Sequence, residues 1–185
     1  NAPTALAARS IVAQTLFKQS EVPFRDYMET SLNDGTKVEK QVTDKQSKLV
    51  RLASSFERII DLGSPEFTVA ALYRLGEAHE NFANALFKVP APTGASPAEV
   101  DKLRTELEKV ALPLRDEAYK FFETAYQRSK EVDTFTTWTR LTYQKMVELA
   151  PDKHPNIDEL SAEPGYLSHS VKIGQPISDI ISTGL

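Results

Sequence analysis

The stretch from Ser64 to Phe87 constrains the fold of this chain more than any other part of the sequence. Ser64 and Pro65 predict a helix start, because a serine hydroxyl can accept an unpaired amide hydrogen and proline has none to lose. The polar residues that follow are spaced three and four apart, at Arg74, Glu77, Asn81 and Asn84. This spacing predicts one narrow solvent-facing stripe, so the remaining faces must be covered. We expect this helix to be the central one of an all-α domain.

The composition is that of an ordinary folded chain and disfavours several classes of partner. The 185 residues are 41% hydrophobic and carry a formal net charge of -4, which suits one compact unit and argues against nucleic-acid binding. No apolar run approaches the ~20 residues of a membrane-spanning helix, so we expect no direct membrane insertion. The chain has no cysteine, which excludes disulfides, thiolate catalysis and cysteine-based metal sites.

Apolar periodicity predicts five helices within residues 1–151. Their expected bounds are about 4–32, 36–62, 65–87, 97–131 and 135–149. An interior proline costs a straight helix ~3 kcal/mol, so we expect a break near Pro23 and a kink or break at Pro113. Lys45 interrupts the apolar stripe of the second helix, and we expect its charged end to snorkel to solvent.

Local signals also predict where helices begin and end. Gly63 is placed to end the second helix in a left-handed conformation. Ser96 and Glu99 have the spacing of a capping box, which predicts the start of the fourth helix. Asp133 or Thr134 is expected to cap the last helix.

Residues 152–185 differ from the rest of the chain. They are rich in proline and glycine, and their apolar residues have no sustained helical period, which is typical of an extension. The number of apolar residues nevertheless favours a segment that packs on something. We therefore expect an extended C-terminal tail docked on the helical body or on a neighbouring molecule.

The segment ALYRLGEAH, with Leu72, Leu75, Gly76 and His79, resembles the first helix of a tetratricopeptide repeat. In that repeat a large residue, a Leu-Gly pair and an aromatic residue recur at fixed spacing. His79 stands at the aromatic position. Glycine lets two helices approach closely, so Gly76 is expected to face the second helix of the pair.

The matching second-helix pattern comes later than in an ordinary repeat. Ala118 and Phe122 fit it, but Ala118 follows Gly76 by 42 residues, whereas the ordinary separation is about a dozen within a period of about 34. An insertion of roughly thirty residues, including the loop 89–96 and the helix from 97 to 113, accounts for the difference. Trp138 repeats the first-helix pattern 66 residues after Leu72, which fits one period plus a similar insertion.

The resemblance covers about residues 36–150 and extends to interrupted tetratricopeptide-like proteins of the envelopes of myxobacteria and related bacteria, including gliding-motility proteins. It implies antiparallel helix pairs in a short right-handed α-solenoid. It also implies a periplasmic, non-catalytic interaction scaffold that needs no cofactor. A helical bundle that matches the repeat pattern by chance is the alternative interpretation.

The resemblance further implies a groove lined by the first helices. Its candidate lining residues are Tyr73, Glu77, Glu80 and Asn81 on the central helix and Tyr143 on the last. Carboxylates and tyrosines suit an extended or helical peptide better than a phosphate, so the expected partner is a protein or peptide. The tail of the same chain, or of another copy, is one candidate.

Two other functions stay open at this point. A metal-dependent sensor or enzyme could be centred on His79, but Glu77 and Glu80 do not share its helical face, so we expect no metal site. His154 and His169 lack a paired ligand motif and are expected to be solvated. A self-assembling structural protein, joined through its tail, is the third hypothesis, and the sequence leaves the oligomeric state undecided.

Overall fold

The computed structural model describes residues 2–34 and 37–155, and its regular structure over these residues is entirely helical. The five helices are α1 (Ala2–Met28), α2 (Val38–Asp61), α3 (Pro65–Phe87), α4 (Pro97–Glu131) and α5 (Thr137–Leu149). The all-α class is confirmed. Most of the expected tail, from residue 156 onward, lies outside the described residues.

Helix α3 is the centre of the packing. Among the five described helices it is the one that contacts each of the other four, and its most extensive contact is with α4. Its buried residues include Val69, Leu75, Ala78 and Phe82 and cover most of its circumference. The expectation of a central, largely covered helix is therefore confirmed.

Neither interior proline interrupts its helix. Helix α1 continues through Pro23 and α4 continues through Pro113, so the expected break near Pro23 is wrong. Both prolines are exposed, whereas Phe24, Ala111 and Ala118 close to them are buried. Water can hydrogen-bond the carbonyl that each proline leaves without a donor, and packing on either side keeps each helix uninterrupted.

Two of the predicted helix ends are confirmed. Gly63 has a φ of 65°, the left-handed conformation that ends α2. At the start of α4 the Glu99 carboxylate accepts a hydrogen bond from the Ser96 amide at 2.8 Å, and the Ser96 hydroxyl accepts one from the Glu99 amide at 3.4 Å. This reciprocal pair is the predicted capping box.

The caps of α3 and α5 differ from the prediction. Ser64 stands at the N-cap, but its hydroxyl bonds the hydroxyl of Ser10 at 3.0 Å and caps no amide. Helix α5 begins after Thr136, not after Asp133 or Thr134. Asp133 has a φ of 49°, which is incompatible with the extended conformation of an N-cap. At the start of α3, by contrast, the bond between Ser64 and Ser10 joins α3 to α1.

Lys45 is fully buried where α1, α2 and α3 meet, so the expectation that it snorkels is wrong. Its ammonium group donates to the carbonyl oxygens of Tyr27 at 3.2 Å and Thr30 at 2.6 Å, and to Oδ1 of Asn81 at 2.7 Å. The carbonyls at a helix C-terminus lack intrahelical partners and favour a cation. At the end of α1, Lys45 supplies both a hydrogen-bond donor and a positive charge. This end comes at Met28 rather than at residue 32.

Gly76 faces α4, as the sequence predicts. A Cβ atom at this position would lie 2.6 Å from a ring carbon of Phe122, one helical turn beyond Ala118. The Phe122 ring is fully buried and packs on the ring of Tyr73 with their centroids 5.5 Å apart. The missing side chain at Gly76 therefore provides the space that Phe122 fills.

Candidate functional site

One side of α3 carries three of the predicted groove residues. Tyr73, Glu77 and Glu80 are spaced four and three residues apart, so they share a side of the helix. Glu77 lies near α1, because Arg74 bridges it to Glu21, and Glu80 is bound by Lys145 of α5. We call this surface, between α1 and α5, the α3 face.

Arg74 joins three helices at the α3 face. Its guanidinium donates to both carboxylate oxygens of Glu21, at 3.0 and 2.8 Å, and to Glu77 at 2.6 Å. The same group lies over the rings of Phe24 in α1 and Trp138 in α5, 4.6 and 5.0 Å from their centroids. Burial opposes its charge, but bonding to the two carboxylates outweighs burial and raises the pKa of Arg74. Arg74 is therefore a link between helices.

The α3 face is acidic. Lys145 donates to Glu80 at 3.3 Å and to Glu148 at 2.9 Å, and thereby ties α5 to α3. The ion pairs of the face contain four carboxylates, Glu21, Glu77, Glu80 and Glu148, and two cations, Arg74 and Lys145. The resulting net charge of -2 favours a positively charged ligand over a phosphate.

Tyr73 supports the α3 face from beneath. It is buried, with its ring 5.5 Å from that of Phe122 and 5.6 Å from that of Trp138. Burial, together with the neighbouring Glu77 carboxylate, raises the pKa of the Tyr73 hydroxyl. Tyr73 is therefore not itself open to a partner.

Asn81 lies at the edge of the α3 face and is occupied by the fold. Its side chain accepts from Lys45 and donates to the Met28 carbonyl at 3.3 Å. Asn84, one turn further along α3, is exposed. Both asparagines line an open pocket of about 380 Å³ at the C-terminal ends of α1 and α3. Asn84 extends the accessible part of the α3 face.

Tyr143 is the predicted groove residue that the structure separates from the others. Its ring lies 5.3 Å from that of Tyr126 in α4, and its hydroxyl donates to the Pro155 carbonyl at 2.8 Å. His154, which was expected to be solvated, is only partly exposed, and its Nε2 is hydrogen-bonded to the Tyr119 hydroxyl at 2.8 Å. Tyr119, Tyr126, Tyr143 and His154 thus form an aromatic cluster. Its signal in the sequence is the seven-residue spacing of Tyr119 and Tyr126, which puts both on one face of α4.

Glu21, Arg74 and Lys145 were not predicted to act as a set. Lys145 does carry a signal, since at the 66-residue offset it corresponds to His79, beside Glu80. Glu21 carries none, because its partner lies 53 residues away in another helix.

His79 packs inside the α3–α4 contact. Its ring lies 5.0 Å from that of Phe121, and its Nδ1 is 2.8 Å from the Leu75 carbonyl. Glu77 and Glu80 bind Arg74 and Lys145 rather than His79. Within residues 2–34 and 37–155, no three His, Asp or Glu side chains are grouped to hold a metal ion.

When the pH is lowered, the His79→Phe variant should lose less stability than wild type does. Burial lowers the pKa of His79 below its ordinary value of 6.5. As the pH falls through that value the unfolded chain takes up a proton before the native one does, so native stability is lost. Phenylalanine keeps the ring contact and cannot be protonated. The free energy of unfolding, compared at about pH 7.5 and about pH 5.5, should fall more in wild type than in His79→Phe. An equal fall would show that His79 is not held neutral.

None of the described helices is long and apolar enough to span a membrane. Comparison of the chain with protein families, with curated proteins and with solved structures gives no match.

Proposed function

We propose that this chain is a non-catalytic interaction scaffold of tetratricopeptide-like helix pairs that holds a protein segment along the α3 face. The observation that carries the proposal is the acidic α3 face itself. Three helices meet there, and half-buried carboxylates at Glu77 and Glu80 lie beside the exposed Asn84. A rigid, mostly polar surface of this kind suits recognition of a segment that carries lysine or arginine.

The contacts of α1 with α3 support the proposed helix arrangement. Glu21 bonds Arg74, and Met28 bonds Asn81, and the two partners are 53 residues apart in both pairs. A constant offset is what two helices running in the same direction give. In a tetratricopeptide array the first helices of successive repeats run side by side in this way.

The contacts of α3 with α5 follow the same rule. Tyr73 packs on Trp138, and Glu80 binds Lys145, with 65 residues between the partners in each pair. This offset is one residue from the 66 that the repeat pattern predicts. It supports α5 as the first helix of a further, degenerate repeat.

The contacts of α3 with α4 have the opposite order. Val69 clusters with Ala125, Tyr73 packs on Phe122, and His79 packs on Phe121. Residue numbers thus increase along α3 while those of their partners in α4 decrease, which supports an antiparallel pair. With α2 and α4 as second helices, we propose that these helix pairs form a short right-handed α-solenoid.

The location follows from the same resemblance. We propose that the scaffold works on the periplasmic side of a bacterial cell envelope, in an assembly such as a gliding-motility apparatus. This part of the proposal is based on two segments of the chain, AALYRLGEAHENFANAL and LPLRDEAYKFFETAYQR, which resemble segments of those envelope proteins.

Photo-crosslinking from a single cysteine tests the function. The chain has no cysteine, so Asn84→Cys gives one attachment point for a photoreactive label on the α3 face. The labelled full-length chain, irradiated in an extract of the source cells, should form an adduct with a discrete protein, identified by mass spectrometry. Gln46→Cys, at an exposed amide residue of α2, is the matched control and should not form that adduct.

A further inference from the structure

A second surface is created by the N-terminal part of α4, the part that corresponds to the predicted insertion. An open groove of about 400 Å³ lies between this part and the beginning of α2, with Val38, Val42, Leu103 and Leu107 as its apolar lining. No Cα atom of the described α2 comes within 8 Å of one of α4. Val42 and Leu107 also pack against the hydrophobic core, but all four apolar lining residues stay partly exposed in the gap.

The rim of this α2–α4 groove is acidic. Glu39, Glu99 and Glu106 line it together with Lys102, and Glu106 is also paired with Lys109 at 2.8 Å. Bonding to Ser96 lowers the pKa of Glu99, and bonding to Lys109 lowers the pKa of Glu106, so both stay ionised at neutral pH. An occupant should therefore combine apolar side chains with positive charge.

One segment of the same chain has this chemistry. The chain continues for 30 residues after Pro155, and its residues 166–176 read YLSHSVKIGQP. This segment contains leucine, valine and isoleucine together with Lys172 and no acidic residue. The flanking stretches are different, since residues 156–165 hold three acidic residues and residues 177–185 hold Asp179 and no cation.

The segment can reach the groove from where the described chain ends. The hydroxyl of Tyr119 holds His154 against the middle of α4. Leu107 lies twelve residues before Tyr119 in the same helix, a distance of about 18 Å along its axis. The ten residues 156–165 can span up to about 33 Å, which covers that distance and part of the circumference of α4.

We propose that residues 166–176 of the same chain occupy the α2–α4 groove. The groove lining takes up the apolar side chains, and the acidic rim binds Lys172. This contact covers the surface that the insertion adds and ties it to α2. It leaves the α3 face free for a partner, so it goes beyond the proposed function and can fail independently of it.

Disulfide trapping in the cysteine-free chain tests this inference. Leu103→Cys combined with Val171→Cys, oxidised at low protein concentration, should form an intramolecular disulfide, located by peptide mass spectrometry. The matched control pairs Val171→Cys with Arg104→Cys, at an exposed neighbour in α4. We expect the yield of the first pair to exceed that of the control on the order of tenfold, because docking raises the local concentration. Adding Lys172→Glu to the first pair should reduce its disulfide yield, because the acidic rim would repel the new carboxylate.

Three outcomes would overturn the inference. Equal yields in the two pairs would show that the segment does not select the groove. A disulfide between two chains would assign the groove to a second copy. No disulfide, either here or with Val42→Cys in place of Leu103→Cys on a chain whose circular dichroism is unchanged, would remove the tail as the occupant.

Discussion

Replacing Gly76 with leucine should lower the free energy of unfolding by about 1 to 3 kcal/mol, because the added side chain overpacks the α3–α4 contact. The first added carbon alone would lie 2.6 Å from the Phe122 ring. That ring is fully buried and packs on the ring of Tyr73. Chemical denaturation of wild type and variant gives the difference, provided that both unfold in a single transition.

Alanine at the same position separates overpacking from helix propensity. Gly76→Ala gains about 1 kcal/mol of helix propensity but brings the same Cβ atom against Phe122, so it should destabilise less than leucine does. In the double variant Gly76→Ala, Phe122→Leu, the smaller leucine side chain leaves room for the added Cβ atom. The loss of stability in the double variant should therefore be smaller than the sum of the losses in the two single variants. Unchanged stability of Gly76→Leu would show that the pairing of α3 with α4 at this point is wrong.

Replacing Lys45 with methionine should destabilise the protein by about 3 kcal/mol, since three oxygens where α1, α2 and α3 meet each lose a hydrogen bond from its ammonium group. Those oxygens belong to Tyr27, Thr30 and Asn81. Lys48→Met is the matched control, because Lys48 is only half-buried and donates to the Thr30 hydroxyl alone at 2.8 Å. It should cost less than about 1 kcal/mol. Similar losses in the two variants would contradict the role assigned to Lys45.

The pH dependence of the Lys45→Met effect provides a second readout. Burial, with a smaller contribution from Lys48, lowers the pKa of Lys45 to about 8. Between that value and the ordinary lysine pKa of about 10.4, the unfolded chain binds more protons than the native one. The stability of wild type relative to Lys45→Met should therefore rise with pH in this window. A fall would show that the native state favours the charged amine.

Features set by neighbouring residues in the sequence were predictable. The capping box at Ser96 and the left-handed Gly63 depend on local backbone chemistry. The bounds of α3 were also predicted, although the Ser64 hydroxyl caps no amide. The contact of Gly76 with α4 was also predictable, because a glycine inside an apolar helix implies a close approach. The repeat pattern then indicated which helix makes it.

Features set by distant residues were not predictable. The sequence marks Lys45 as a charge in an apolar stripe, but its acceptors belong to α1 and α3. Asn81 and Tyr143 fit the groove pattern, yet one side chain is bonded to Lys45 and the other to Pro155. Their roles depend on which helix end or chain segment lies beside them, and spacing along a single helix does not contain that information.

The ratio of photo-adduct yields from labels at Asn84 and at Gln46 tests whether the α3 face is the binding surface, since both are exposed amide residues on helices. If the α3 face holds a protein segment, the label at Asn84 gives an adduct with one protein, and excess unlabelled wild-type chain suppresses it. The label at Gln46 gives no such adduct. Equal yields from the two positions, or no adduct from either, would contradict the claim that the α3 face is the binding surface.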